Sequence, residues 1–274
     1  MAFSIRTNVA SLNAQKNLFN NTNQLEKAMS SLSSGMRITK ASDDAAGLGV
    51  SVSLEAQIRS YQQAGRNAQD GLSMVQTAEA GLNEVSNILT RMREISVESA
   101  GGGLTNSQRE FLDLESEEMK LELNRLSTEI KFNDKNLLNG SLTTLGFQVG
   151  AQTSDMITVD FTNIKVSETA LGIDGDDIKT QGAAQTAITN LDTAIQNVSE
   201  YRANLGASAN RFTTAVNTIA NAVENLSAAN SRVRDADVAE ESARMARAQV
   251  LQQAAVSVTA QANQQPQLAL KLLG

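Results

Sequence analysis

Residues 188–233 read ITNLDTAIQNVSEYRANLGASANRFTTAVNTIANAVENLSAANSRV. Large apolar residues recur in this stretch at steps of three, four or seven, and they are Ile188, Leu191, Ile195, Val198, Leu205, Phe212, Val216, Ile219, Val223, Leu226 and Val233. This spacing predicts one long α-helix with a single apolar seam of the kind found in coiled coils. Because such a helix spans about 70 Å, it needs partner helices along its length, and we expect an elongated antiparallel helical bundle.

The chain lacks the residues on which the commonest catalytic and metal sites depend. Of its 274 residues, none is His and none is Cys. Without them it has no Ser-His-Asp triad, no disulfide, and no imidazole or thiolate metal ligand. Aromatic residues make up only 3%, which favours thin helical seams over a globular core. We therefore predict that the protein is not an enzyme and holds no cofactor or metal.

The charge and hydropathy patterns argue against two classes of partner. The net charge is −7 and no cluster of Lys and Arg stands out, whereas nucleic-acid binding depends on clustered positive charge. No apolar run approaches the ~20 residues that cross a bilayer. The sequence therefore predicts neither nucleic-acid binding nor membrane insertion.

Four further helices are predicted from apolar periodicity and capping residues. The first covers residues 8–34, and the second begins with an N-cap at Ser42 and continues to about Ser99. A capping box at residues 107–110 opens the third helix, and another at residues 237–240 opens the last. The apolar residues expected to line the third helix are Phe111, Leu112, Met119, Leu123, Leu126 and Ile130.

Between residues 140 and 182 the apolar period changes from helical to two. Phe147 and Val149 alternate with polar residues, and so do Ile157, Val159 and Phe161. This alternation predicts two short strands that pair as a hairpin. The fold class expected is therefore mainly α, with a small β-hairpin region.

Thin apolar seams mark both ends of the chain. The candidate residues of these seams are Leu12, Leu18, Leu25, Met29 and Leu32 in the first helix and Val250, Leu251, Leu268, Leu270, Leu272 and Leu273 in the last. A helix with so narrow a seam depends on neighbours, so we expect the N- and C-terminal helices to pair. The domains predicted are a terminal-helix domain of residues 1–42 and 235–274 and a helical rod of residues 43–234, with the hairpin at 140–182.

Motifs at both ends of the chain carry a family resemblance. They are LSSGMRI at 32–38, SDDAAG at 42–47, QAGRNA at 63–68, QTAE at 76–79, RANLGA at 202–207, NLSAA at 225–229, DAD at 235–237 and AQAN at 260–263. In type and order these motifs resemble those of bacterial flagellin. The short middle of the chain is similar to that of a minimal flagellin without outer surface domains.

The resemblance implies a structural subunit of the flagellar filament that is exported unfolded by a type III apparatus. Such a subunit self-assembles into a hollow helical polymer for swimming motility, outside the cell. The implied transient partners are the flagellar cap, the hook-junction proteins and an export chaperone. The inner-core residues expected to drive assembly are those of the two terminal seams.

A nine-residue motif, LTRMREISV at 89–97, resembles the flagellin segment that the animal Toll-like receptor for flagellin recognises. The implied residues for polymerisation, and for recognition by that receptor, are Leu89, Arg91, Arg93, Glu94, Val97 and Glu115. The alternative interpretation is that Leu89, Met92 and Ile95 face the bundle core while Arg91 and Glu94 form an ordinary surface ion pair.

Alternative functions stay open from the residues alone. Within the flagellar class the chain could be a minor filament isoform or a hook–filament junction protein. A coiled-coil signalling protein of the chemoreceptor type would share the Ala-rich heptads and the scarcity of aromatic residues. Such a protein should also carry membrane spans or a sensor domain, and the sequence shows neither.

Overall fold

The computed structural model describes the backbone of residues 7–273 and the side chains of residues 7–264. In chain order the elements are α1 (Val9–Ser34), α2 (Ala45–Ala100), α3 (Asn106–Glu129), β1 (Lys131–Phe132), β2 (Lys135–Asn136), β3 (Thr144–Gln148), β4 (Met156–Asp160), α4 (Glu168–Leu171), α5 (Gln181–Arg234) and α6 (Val238–Leu273). The predicted class, mainly α with a small antiparallel hairpin and paired terminal helices, is confirmed.

The chain divides into two compact units. The first contains residues up to Ala56 together with those from Asn225 onward, and the second contains Gln57–Glu224. Both divisions fall inside long helices, one in α2 and one in α5. The first unit holds the terminal helices α1 and α6, whereas the second holds α3, α4 and all four strands.

The second unit is built on two helices whose buried residues recur every seven positions. On α5 these are Leu191, Val198, Leu205, Phe212 and Ile219, and on α2 they are Ala68, Val75, Leu82 and Leu89. Both sets belong to one apolar cluster. A repeat of seven keeps a seam facing its partner helix, which is the arrangement that the 188–233 periodicity predicts. Other predicted seam residues, such as Ile195 and Val216, lie half-buried at the margins of that cluster.

Capping residues set the helix starts, and two of the predicted starts were wrong. The Asp44 side chain accepts a hydrogen bond from the Gly47 amide at 2.8 Å, so α2 begins after Asp44 and not at Ser42. Thr105 and Gln108 form the capping box of α3, two residues before the predicted one. The predicted cap at Asp237 is confirmed, because its carboxylate accepts from the Ala239 amide at 2.8 Å.

The predicted hairpin is present, and a second hairpin precedes it. In the first, β3 pairs antiparallel with β4 so that Phe147 faces Ile157. In the second, β1 pairs with β2 across Asn133 and Asp134, whose φ angles are 47° and 62°. Two consecutive left-handed residues form the tight turn typical of two-residue hairpins, and Asn and Asp tolerate that conformation better than most residues.

Candidate assembly surfaces

The terminal helices α1 and α6 pair antiparallel through polar contacts along their length. The Asn8 side-chain amide donates to the Ala262 carbonyl at 2.8 Å, and the Ser11 hydroxyl donates to Asn263 Oδ1 at 2.7 Å. Further along, Gln252 Nε2 lies 3.4 Å from the Thr22 hydroxyl. The predicted meeting of the two chain ends is thus made by specific hydrogen bonds.

Small side chains, not large ones, form the buried face of this helix pair. The buried residues are Ser11, Ala14, Ala28 and Ser31 on α1 and Glu241, Ala248 and Ala262 on α6. Leu18, Leu25 and Leu32 are half-buried. Of the five predicted α1 seam residues, Leu12 and Met29 are exposed, at 56% and 54%.

Several large apolar side chains of both terminal helices are exposed to solvent. Besides Leu12 and Met29 they include Val9, Phe19, Val250, Leu251, Val256 and Val258, of which Val250 is 65% exposed. Leu268, Leu270, Leu272 and Leu273 belong to α6, but their side chains lie outside the described residues. Exposed apolar residues on a single helix pair amount to a surface that another protein can cover.

A strap of residues 35–43 follows α1 within the first unit. Its start pairs with residues 234–236 at the end of α5. The Arg37 amide donates to the Arg234 carbonyl at 2.7 Å, and the Ala236 amide donates to the Gly35 carbonyl at 2.9 Å. Gly35 has a φ of +70°, and this left-handed conformation ends α1.

An ion pair secures the strap to α1. Lys27 Nζ lies 2.9 Å from Asp43, and the Asp43 carboxylate also accepts from the amides of Lys40 and Thr39 at 3.1 and 3.3 Å. The hydrogen bond from Lys27, followed by that from the Lys40 amide, holds the pKa of Asp43 well below its usual value.

The 89–97 motif presents a charged surface on α2 and α3. Arg91 bridges two carboxylates, with Nη1 3.1 Å from Glu94 Oε2 and Nη2 3.1 Å from Glu115 Oε1. Arg93 Nε donates to Asp192 on α5 at 2.6 Å, and this bond is the main cause of the lowered pKa of Asp192. These pairs are about half exposed, so each contributes little to stability by itself.

Burial separates the motif into core and surface residues. Leu89, Met92 and Ile95 are at most 1% exposed, as in the alternative interpretation of the motif. Leu89 lies in the core and therefore cannot touch a partner directly, although it supports the helix that carries Arg91. Val97 is 48% exposed.

Helix α3 has an unusual distribution of polar and apolar residues. Toward the bundle it buries Arg109, Asp113, Ser116 and Lys120, all at most 5% exposed. Toward solvent it presents Phe111, Leu114 and Leu121, which are 72%, 63% and 59% exposed. The expectation that Phe111 lines the core was wrong. Leu123 and Leu126 are buried as expected.

The buried charges of α3 are satisfied by main-chain groups and by ion pairs with Glu117 and Lys179. The Arg109 guanidinium donates to the carbonyls of Ser99, Gly101 and Leu104 at 2.6–2.7 Å, and so caps the end of α2. Asp113 accepts from the Ile178 amide at 2.9 Å. These bonds explain why charged side chains can occupy the interior here.

Lys120 joins α3 to the segment before α5. Its ammonium group donates to the Asp176 carbonyl and to Glu117, the latter at 2.8 Å. The Asp176 carboxylate in turn accepts from the Asn190 side chain at 2.8 Å. The acidic segment around Asp176 is therefore held by hydrogen bonds to α3 and α5.

The described residues contain no group of three His, Cys, Asp or Glu side chains placed to hold a metal ion. None of the described helices combines the length and the apolar character that a bilayer span requires.

An open groove of about 600 Å³ runs along α5 in the second unit, between α5, α2 and the β3–β4 hairpin. Tyr61, Val149, Ile157 and Ile219 give it an apolar floor, and Arg211 lies on its α5 wall. Nothing in the sequence pattern signals this groove, because it needs residues from three separate segments.

Two family models match most of the chain. The bacterial flagellin N-terminal helical region matches residues 5–143, and the bacterial flagellin C-terminal helical region matches residues 188–273. The 144–187 interval between them contains β3, β4 and α4. The two matched regions thus contain the long helices.

Individual proteins are similar over the whole chain. A flagellin of Halalkalibacterium halodurans is 42% identical over 98% of this chain and 99% of its own. Polar flagellin F of Vibrio parahaemolyticus is 33% identical over all of both chains. That alignment covers 377 positions, so the relative has about a hundred residues without a counterpart among the 274 of this chain.

Solved structures agree with the sequence matches. The crystal structure of Bacillus cereus flagellin superposes with a TM-score of 0.51 at 29% identity, over 56% of this chain and 88% of that one. A putative flagellar hook-associated protein of Vibrio parahaemolyticus has a TM-score of 0.58 at 14% identity, and it shows the same fold only. The matches favour none of the alternative functions raised above. The chain belongs to the bacterial flagellin family and is a structural subunit of the flagellar filament, not an enzyme.

Proposed function

We propose that residues 1–42 and 235–274 form the inner layer of a hollow helical filament and that residues 43–234 form the rod around it. The observation that carries this proposal is the contact between α1 and α6, which buries small side chains and leaves large apolar ones exposed. Full burial of one such side chain contributes roughly 1.5–3 kcal/mol. Copies of the pair that cover one another's exposed residues would gain this stabilisation many times.

The proposed inner-core residues are Leu12, Leu18, Leu25, Met29, Leu32, Val250, Leu251, Leu268, Leu270, Leu272 and Leu273. Among them Leu12, Met29, Val250 and Leu251 are exposed in the single chain, so they are the ones available to other copies. Leu18, Leu25 and Leu32 are half-buried, so they offer less apolar surface to other copies.

The test compares two double variants in electron microscopy of the full-length protein under polymerising conditions. Leu12→Ser with Val250→Ser removes apolar surface and should raise the critical concentration at least tenfold or abolish filaments. Lys16→Ser with Gln253→Ser alters exposed polar positions of the same helices and should leave polymerisation unchanged. Normal filaments from the first variant would refute the inner-layer assignment.

The same proposal includes export of the unfolded chain to the outside of the cell through a type III apparatus, with swimming motility as the result. The chain has no Cys, so no disulfide opposes its passage in an extended form. An export chaperone in the cell, and the cap and hook-junction proteins at the filament, are its proposed transient partners. Co-purification of the chaperone with the full chain, lost on filament formation, tests this part.

The surface around Arg91 has a proposed role in polymerisation and in recognition by the animal Toll-like receptor for flagellin. The supporting observation is that Arg91 joins Glu94 on α2 to Glu115 on α3, with Arg93 half-exposed and Val97 exposed on the same segment. Arg91→Ala should weaken binding to the receptor ectodomain, whereas Arg125→Ala, at another exposed position, should not. Equal affinity of the two variants would argue against receptor recognition here.

A further inference from the structure

The outward face of α3 is an apolar stripe that the single chain leaves uncovered. Phe111, Leu114 and Leu121 lie within about 80° of one another around the helix and extend over about 15 Å of its length. The inward face buries the charged residues Arg109, Asp113 and Lys120 beside Leu123 and Leu126. An apolar stripe left exposed on the opposite face indicates that another surface covers it.

The stripe also carries acidic residues. Glu118 lies in its middle and Glu110 at its edge, while the flanking Glu115, Glu117 and Glu122 pair with Arg91, Lys120 and Arg125 of the same chain. Arg125 is the one exposed cation on α3. A partner for this face therefore needs an apolar channel about 15 Å long that also offers positive charge.

The groove along α5 has these properties. Its α5 wall extends from Asn210 to Ala222, which corresponds to about 18 Å of helix. Tyr61, Val149 and Ile219 supply the apolar floor, and the exposed Arg211 supplies the positive charge. Asp155 also borders the groove, but its carboxylate accepts from the Gln152 amide at 3.1 Å.

We propose that the α3 stripe of one copy of this chain docks in the α5 groove of a second copy, with Glu118 next to Arg211. This inference rests on the filament function proposed above and specifies one contact within it. An amphipathic helix face that lies in an apolar groove is a common mode of recognition, and opposite charges at its rim set the register.

A single chain cannot make this contact with itself. Leu112 on α3 contacts the cluster that contains Ala184 and Ala187 of α5. Thr214 in the groove lies about 27 residues further along the same helix, which is about 40 Å away. The contact therefore offsets successive copies along the direction of α5. Because it joins two different surfaces, it leaves both ends of the series open.

Disulfide trapping tests the contact directly, since the chain has no native Cys. Filaments are assembled under reducing conditions from the full-length variant Glu118→Cys with Thr214→Cys and are then oxidised. The expected result is a ladder of covalent dimers, trimers and larger species on a denaturing gel. The control pairs Glu118→Cys with Thr213→Cys, because Thr213 is exposed on α5 but does not line the groove.

Charge exchange provides a second, independent test. Glu118→Arg and Arg211→Glu should each raise the critical concentration for polymerisation about tenfold, because each places like charges together. The double variant restores opposite charges and should polymerise near the wild-type concentration. Rescue of this kind is not expected of two positions that act separately.

Each outcome bears on the proposal. A ladder from the groove pair but not from the control, together with rescue, supports the contact. Filaments that show neither the ladder nor the rescue would overturn the contact and would leave the filament function intact. Cross-linking of Glu118→Cys alone would show that the stripe pairs with itself and would also overturn it. Failure of the unmodified chain to polymerise would overturn both this contact and the filament proposal.

Discussion

The phenyl rings of Phe147 and Phe212 meet edge to face, with centroids 5.3 Å apart and planes at 88°. Phe212 is completely buried on α5, and Phe147 projects from β3 of the hairpin. The Asn67 side chain adds a hydrogen bond from α2 to the Gln148 carbonyl at 3.0 Å. The hairpin is therefore fixed to both long helices at one place.

Gly71 on α2 makes room for this ring pair. A Cβ atom at residue 71 would lie 2.6 Å from Phe212 Cζ and 3.2 Å from Phe147 Cδ1. We expect Gly71→Ala to lower the free energy of unfolding by about 1–2 kcal/mol, because the cost of overpacking exceeds the helix-propensity gain of about 1 kcal/mol. Urea unfolding measures this change in the free energy of unfolding.

Gly65→Ala is the matched control on the same helix. Its Cβ would meet only Ile219 Cγ2 at 3.4 Å, an ordinary contact. This substitution should be neutral or should stabilise by about 0.5–1 kcal/mol. Equal unfolding midpoints for the two variants would show that the rings are not packed on Gly71.

Arg109→Met should destabilise the protein by about 3 kcal/mol or more. The change removes the donor to the carbonyls of Ser99, Gly101 and Leu104, of which the bond to Ser99 is buried and the other two are partly buried. Arg125→Met, on the exposed face of the same helix, removes only surface ion pairs and should cost less than about 1 kcal/mol. Chemical denaturation of both variants decides the matter, and similar losses would contradict the capping role of Arg109.

The strap should weaken in acid because of Asp43. Its pKa is lower in the folded chain than in the unfolded chain, so its stabilising effect is complete above the usual carboxyl pKa of 3.8. That effect decreases as the pH falls below about 4, since the unfolded state then binds a proton that the folded state does not. Protection of the Thr39 and Lys40 amides from hydrogen exchange should fall over this range.

Asp43→Asn should show low amide protection at Thr39 and Lys40 already at neutral pH, with little further change in acid. Glu26→Gln, at an exposed position of α1, should behave as the wild type does. If Asp43→Asn keeps wild-type protection at neutral pH, the ion pair with Lys27 does not hold the strap.

We expect the terminal helices to be marginally stable in the free monomer and to become firmly ordered on assembly. Their mutual contact buries mainly Ser and Ala side chains, and ordering the backbone costs about 1–2 kcal/mol per residue. Hydrogen exchange on monomer and filament should show strong protection of residues 8–34 and 240–264 only in the filament. Strong protection of these residues in the monomer would be the opposite result.

Periodicity was enough to predict the long helices. The seven-residue recurrence of Leu191, Val198 and Leu205 leaves one face of α5 apolar, and any structure must bury that face. The hairpin was equally predictable, because Ile157 and Val159 alternate with polar residues. In both cases the pattern lies within one segment of the chain. The helical period fits α5 much better than a period of two, and the reverse holds for the hairpin.

The polarity of α3 could not be predicted in the same way. Phe111 was predicted to line the helix together with Leu112, Met119 and Leu123, because all are large and apolar. Arg109 and Lys120 take interior positions beside Leu123, and they bond to carbonyls of other segments. Lys120 reaches Asp176 across 56 residues of sequence, and no local pattern reveals such a contact.

The candidate surfaces were predicted only in part. Leu18, Leu25 and Leu32 of the predicted α1 seam are half-buried, whereas the exposure of Leu12 and Met29 needed coordinates. The capping error at α3 arose because Thr105 with Gln108 and Ser107 with Glu110 both fit the same pattern. The structure distinguishes the two capping boxes, because it shows where Arg109 binds the carbonyls at the end of α2.

The Ser and Ala contact between α1 and α6 has a geometric consequence. Small side chains let two helix axes approach to about 8 Å, at the lower end of the usual range. The pair is then narrow, and several bulky side chains of the described residues project from its outside. Leu12 of one pair and Val250 of another are both exposed and apolar. Identical pairs can therefore pack side by side without a second type of subunit. The solvent-exposed apolar surface of one chain would in this way become buried inside a wall that is one helix pair thick.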